Sequence, residues 1–234
     1  SPPPPPAAPS AAGGQTFRLE DALRRALRHF LVTRGDAFTV IAGYPWFLDW
    51  GRDTLIALRG MIAAGLLKEA RGILREFARF ESGGTLPNMI SGDDTSDRDT
   101  SDAPLWFAVA VRDLLVRDGD SGLLQLDCGG RPLREVLISI GRGYLAGTAN
   151  GIYTDAETGM VFSPAHFTWM DTNYPAGTPR QGYPVEIQAL WYATLRFLDQ
   201  IDSEGGWRDR AAQLSAAFAD LFLRDDLPYL ADCL

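Results

Sequence analysis

The sequence predicts an all-α fold of about seven helices with one small β-hairpin, on three observations. Apolar residues recur at the 3.6-residue helical period through most of the chain. Strand-like runs bounded by turn residues are scarce. Helices that are apolar on nearly every side alternate with amphipathic ones. That mixture arises when helices form two concentric layers, an inner one covered on both sides and an outer one wetted on one face; a plain bundle gives the same mixture.

In chain order, residues 17–34 place Phe17, Leu23, Ala26, Leu27, Phe30 and Leu31 on one helical face with arginines opposite. Residues 53–66 are apolar nearly all round (Leu55, Ile56, Leu58, Met61, Ile62), and residues 67–80 are amphipathic again through Ala70, Ile73, Leu74 and Phe77. Ser101 and Asp102 before Pro104 make a helix start for Leu105, Trp106, Val109, Ala110 and Leu114. Leu133, Val136, Leu137, Ile140 and Tyr144 follow the same period. Pro184 opens a mostly apolar helix, and residues 207–223 supply the last. Residues 152–154 and 160–162 flank an Asp-Ala-Glu-Thr-Gly turn and predict the hairpin.

Bulk properties exclude several function classes. The 234 residues are 46% hydrophobic, 11% aromatic and 22% charged, an ordinary globular balance. The longest uncharged stretches run to about a dozen residues, short of the roughly 18 a membrane span needs, so no membrane association is expected. A net charge of −8 and a pI near 4.8 lack the basic stripe that a nucleic-acid binder requires. Cys128 and Cys233 are too few for a disulfide framework and indicate a reducing, cytoplasmic setting. No Cys/His cluster has metal-ligand spacing, and no metal or cofactor is expected. Residues 1–16, rich in Pro, Ala and Gly, predict a semi-rigid linker with a further domain upstream. Residues 17–234 then form the N-terminal part of a helical domain cut at its C-terminal end.

Three segments gather polar and aromatic residues just before a helix. GYPWFLDWGRDT (residues 43–54) holds Trp46, Asp49, Trp50, Arg52 and Asp53. Sugar sites need this mixture, apolar rings for pyranose faces and charged groups for paired hydroxyls. A structural alternative has Asp53 capping the helix while Arg52 pairs with Asp49.

SPAHFTWMDTNYPAGTPRQGYPVEI (residues 163–187) sets Asp171 directly after Trp169 and Met170, with Arg180 and Glu186 following. A carboxyl against apolar surface suits a general acid; alternatively Arg180 neutralises Asp171 and Glu186 favours the helix N-terminus. A loop this long and this polar points to function.

TLPNMISGDDTSDRDTSDAPLW (residues 85–106) is rich in aspartate, but a calcium loop starting at Asp97 lacks glycine at its sixth position and glutamate at its twelfth. Most of the run reads as solvated loop, with Asp102 the member expected to face a site. Phosphate-loop, dinucleotide and nucleophile-elbow motifs are missing. His166 reads as a flanking loop residue and His29 as structural.

YPWFLDWGRDTLIALRG and TWMDTNYPAGTPRQGYPVEIQALWY, together with DTSDAPLW, resemble the C-terminal glucosidase domain of glycogen debranching enzymes, the amylo-α-1,6-glucosidases. The likeness runs over residues 37–197. It implies an (α/α)6 toroid of six inner and six outer helices, with a funnel-shaped site at one end. It further implies removal of the single glucose left at an α-1,6 branch of glycogen or limit dextrin, with inversion. On that likeness Arg52 and Asp53 grip the terminal glucose and Asp171 is the general acid. Trp46, Asp49, Trp169, Arg180 and Glu186 line the pocket. Seven helices against the family's twelve, and no candidate base after Glu186, place the second carboxylate beyond Leu234. Rival readings are another toroid glucosidase of glucoamylase or trehalase type, a non-catalytic glucan-binding domain, and loops whose aromatics merely pack.

Overall fold

The computed structural model describes residues 18–35, 37–172, 177–223 and 228–234. The linker expected at residues 1–16 lies outside them. The fold is mostly α. Its helices are α1 (Leu19–His29), α2 (Gly51–Ala63), α3 (Leu67–Arg79), α4 (Ala103–Asp118), α5 (Leu133–Ala146), α6 (Val185–Ile201) and α7 (Trp207–Phe222).

Two layers are apparent in the packing. The α2 helix packs on α4 and α4 on α6, forming an inner row. Outside it, α3 lies against α2 and α4, α5 against α6, and α7 against α6. Inner and outer helices therefore alternate along the chain, the arrangement of an incomplete toroid. Periodicity explains the assignment. On α3 the buried residues are Ala70, Ile73, Leu74, Phe77 and Ala78, a single stripe. On α4 they include Ala103, Leu105, Phe107, Ala108, Val111 and Leu114, which point in most directions, so its N-terminal half is covered nearly all round while Arg112 and Val116 beyond it are exposed. Tyr144 of α5 stacks on Trp191 of α6 with ring centroids 5.5 Å apart, joining the layers.

The first helix departs from expectation. It ends at His29 rather than running to residue 34, and none of its residues is fully buried. Leu31–Arg34 (β1) instead pairs antiparallel with Ala37–Val40 (β2), from Leu31↔Val40 to Arg34↔Ala37. The signal was present in the sequence: Val32, Thr33, Phe38, Thr39 and Val40 favour strands, and Gly35 turns the chain at φ 53°. The apolar face of residues 17–34 concealed it.

Two further two-stranded pairs matter differently. Asp49–Trp50 (β3) pairs with Met89–Ile90 (β4), with Asp49↔Ile90 and Trp50↔Met89 in register. This unpredicted pairing ties the loop before α2 to the aspartate-rich loop before α4. The expected hairpin is present as Tyr153–Thr154 (β5) against Val161–Phe162 (β6). At the start of α2, the Gly51 N–H donates to the Asn88 carbonyl at 2.8 Å. A Cβ there would meet the Pro87 carbonyl at 2.7 Å, so only glycine allows the approach.

Candidate functional site

Arg52 stands in the first turn of α2 and is 9% exposed. All three of its nitrogens are used. Nε donates to Asp102 Oδ2, Nη1 to Asp171 Oδ2 at 3.0 Å, and Nη2 to the Thr168 carbonyl at 2.8 Å. Asp102 precedes α4 and is itself buried, its other oxygen accepting from Thr100 Oγ1 at 2.7 Å. One guanidinium thus joins α2, the start of α4 and the loop before α6. Burial opposes its charge, but Asp102 and then Asp171 outweigh that, and the guanidinium holds its proton more firmly than usual.

The loop of residues 163–172 is fastened to the same end of the molecule. Ser101 N donates to the Phe167 carbonyl at 2.7 Å, Ser163 Oγ to Ser101 Oγ at 2.9 Å, and the buried Tyr144 hydroxyl to the Ser101 carbonyl at 2.8 Å. Arg180, held at φ 48°, is buried and grips both oxygens of Glu186, Nη2 to Oε2 at 2.6 Å. Its Nε also reaches Asp232 Oδ2 at 2.9 Å and its Nη1 reaches Thr168 Oγ1 at 3.3 Å. Salt bridges raise the Arg180 pKa, Glu186 contributing most and outweighing burial, with Asp232 adding to it. Thr168, fully buried, takes Arg52 on its carbonyl and Arg180 on its hydroxyl. Nothing in the sequence singles it out, because its role depends on two arginines arriving from different elements.

Arg52, Asp102 and Glu186 therefore mark one end where the inner helices α2, α4 and α6 all begin. Helix N-termini carry partial positive charge, which favours carboxylates gathering there.

Beside this network lies a cleft of about 410 Å³ whose walls include Trp50, Asn88, Asp97, Asp99, His166 and Asp171. Asp102, the aspartate expected to face a site, is instead sealed behind Arg52, and Asp97 and Asp99 reach the cleft. The Arg52–Asp49 pairing does not form. Asp49 is buried and bonded to Arg34 Nη1 at 2.8 Å and to Thr54 Oγ1 at 3.2 Å. Burial pushes its carboxyl above the usual range, against the opposing bonds of Arg34 and Thr54.

Nor does Arg180 neutralise Asp171, which Arg52 holds instead. Asp53 is exposed, and the N-cap of α2 is Trp50 with no side-chain cap bond. Trp46 is 83% exposed and Trp169 58% exposed, while Trp50, Ala165 and Phe167 share the cleft wall with Asp171. A larger groove of about 710 Å³ lies along α5 among Arg131, Arg134 and Arg142, away from these residues. Both cysteines are free. Among the described residues no helix is long and apolar enough to cross a membrane.

The family model described as Amylo-alpha-1,6-glucosidase matches residues 25–234. The chain belongs to this family. As an amylo-alpha-1,6-glucosidase domain, it is similar to the glycogen debranching enzyme of Saccharomyces cerevisiae, 25% identical over 226 residues. That match takes in 71% of this chain and 15% of the yeast protein, so the domain spans a small part of its relative's length.

Proposed function

We propose that this chain binds a branched α-glucan such as glycogen or limit dextrin and removes α-1,6-linked glucose at its branch points, inverting the anomeric centre. The observation that carries the reading is the placement of Asp171 on a cleft wall, oriented by Arg52 from the first turn of α2, 119 residues away. Family membership supports the linkage. Asp171 protonates the glycosidic oxygen. The carboxylate that activates water comes from a segment beyond residue 234, at the roughly 6.5–9.5 Å separation inverting enzymes use. Arg52 holds Asp171 in place; Trp46 and Trp169, exposed as they are, offer ring faces to the glucan outside the cleft. Asp53 and Glu186 complete the sugar-binding surface, with Arg180, Asp49 and Asp102 fixing the loops beneath. No cofactor takes part. An upstream domain, consistent with the greater length of the yeast relative, presents the polymer, and the free cysteines fit a cytoplasmic location.

The test is Asp171→Asn in the full-length protein, read as glucose release from limit dextrin. Positioned acid catalysis contributes about 10²–10⁴-fold, so kcat falls by that factor with affinity retained. Wild-type turnover in the variant overturns the assignment. The ion pair to Arg52 favours one other reading, a glucan-binding domain in which Asp171 grips hydroxyls and donates no proton. In that case the same variant loses affinity, and the wild-type protein binds dextrin without cleaving it.

A further inference from the structure

Pro164 to Phe167 form a tight turn, closed by the Phe167 N–H donating to the Pro164 carbonyl at 3.4 Å. His166 is its third residue and stands at φ 64°, a conformation that glycine adopts freely and a β-carbon opposes. Its N–H donates to the Pro179 carbonyl at 2.9 Å, and the neighbouring Phe167 carbonyl accepts from Ser101 N at 2.7 Å. The backbone under the imidazole is therefore held from both sides, and nothing in the turn itself calls for a histidine. Left-handed backbone at a residue with a side chain costs energy, and such positions concentrate at ligand sites.

His166 is half-buried and lines the cleft together with Asp171, five positions later. Its two ring nitrogens differ. Nδ1 is sealed from solvent and has no partner among the described residues, whereas Nε2 is not sealed and no described group bonds it. Nε2 is thus the nitrogen that a molecule in the cleft can reach. Buried N–H groups without an acceptor are rarer than buried acceptors without a donor, which assigns the hydrogen of the neutral ring to Nε2. Around it, Asp97, Asp99 and Asp171 offer acceptors, while Arg52 has every nitrogen bonded already. A sugar hydroxyl both donates and accepts, so carboxylates satisfy only half of it.

We propose that His166 is a substrate-contact residue: its Nε2–H donates to a hydroxyl oxygen of the glucosyl unit in the cleft, and the strained turn holds the ring in place to do so. The inference rests on the glucosidase reading above.

The experiment uses the full-length protein and a branched maltooligosaccharide bearing one α-1,6 glucosyl stub, together with its analogues lacking single hydroxyls on that stub. Titration calorimetry gives affinities, and glucose release gives KM and kcat. His166→Gly suits the positive φ, so its melting temperature equals or exceeds that of wild type. Affinity for the parent probe nevertheless falls about three- to tenfold, seen as a raised KM with kcat within about twofold. Against one deoxy analogue, wild type and His166→Gly bind alike, because the contacted hydroxyl is already gone. His166→Asn tolerates the left-handed backbone and keeps an N–H donor, so it recovers part of the affinity. If His166→Gly does not fold, His166→Asn carries the same comparison.

A wild-type protein that binds and cleaves the parent probe, with variants that match its affinity, overturns this proposal and leaves the glucosidase reading standing. So do variants weakened equally against the parent and every deoxy analogue, since the ring would then be packing the loop. A folded wild-type protein that neither binds nor cleaves the parent probe overturns both.

Discussion

Arg52 and Arg180 are both buried and both bonded to Thr168, yet they do different structural work. Arg52 reaches partners 50, 116 and 119 positions away and draws two helix starts and a loop to one point. Arg180 reaches Glu186 six positions on, closing its own loop onto α6, and then Asp232, which is 68% exposed. A buried charge that keeps a buried carboxylate partner, as Arg52 does in Asp102, is fixed by the tertiary structure. One whose partners are wet can relax into solvent. The first sort of arginine holds a site together; the second trims its edge.

Substitutions at the two arginines separate their roles. Arg52→Met leaves Asp102 buried without a counter-charge, and uncompensated buried charges cost about 3–5 kcal/mol. Urea denaturation should show a loss of that size, and equality with wild type would mean that the clamp is not the organising contact. Arg180→Met should cost less, about 1–3 kcal/mol, since Glu186 and Asp232 keep access to water. Equal losses in the two variants would mean that the two arginines carry the same structural weight.

The Arg34–Asp49 pair sharpens the point, because there burial outweighs the bonds. In the folded state Asp49 keeps its proton at a pH where the unfolded chain has released it. Its contribution to stability is therefore present at low pH and is lost as pH rises through the folded-state pKa. Asp49→Asn should flatten that decline in a series of melting curves across the acid range; an unchanged slope would refute it. The smallest effect belongs to Trp46→Ala. A side chain so exposed should change unfolding free energy by less than about 0.5 kcal/mol, while affinity for dextrin on gel electrophoresis drops. A large loss of stability would restore the reading in which these aromatics merely pack.

The α3 helix could be read directly from its residues, since Ala70, Ile73, Leu74 and Phe77 return to one side every 3.6 positions. Likewise α4, α5, α6 and α7 begin within a residue or two of where periodicity and Pro104 or Pro184 place them, while α4 and α6 run past Leu114 and Leu198, the last residues of the apolar pattern, to Asp118 and Ile201. The β1–β2 hairpin escaped because its alternation is only four residues long and overlaps the tail of a helical pattern. The aspartate-rich loop misled for another reason. Asp102 occupies a helix-start position, which marks it as special, but the β3–β4 pairing swings that loop so that Asp102 turns inward and Asp97 and Asp99 line the cleft.

The helices and the faces they bury were thus determined by the amino-acid order alone, because burial of a stripe is a local consequence of periodicity. So was the concentration of acidic and aromatic groups in three loops. Which carboxylate meets which guanidinium was decided only by the tertiary structure. Charge pairing depends on separations of a few ångströms between loops far apart in the chain, and no local pattern encodes those distances.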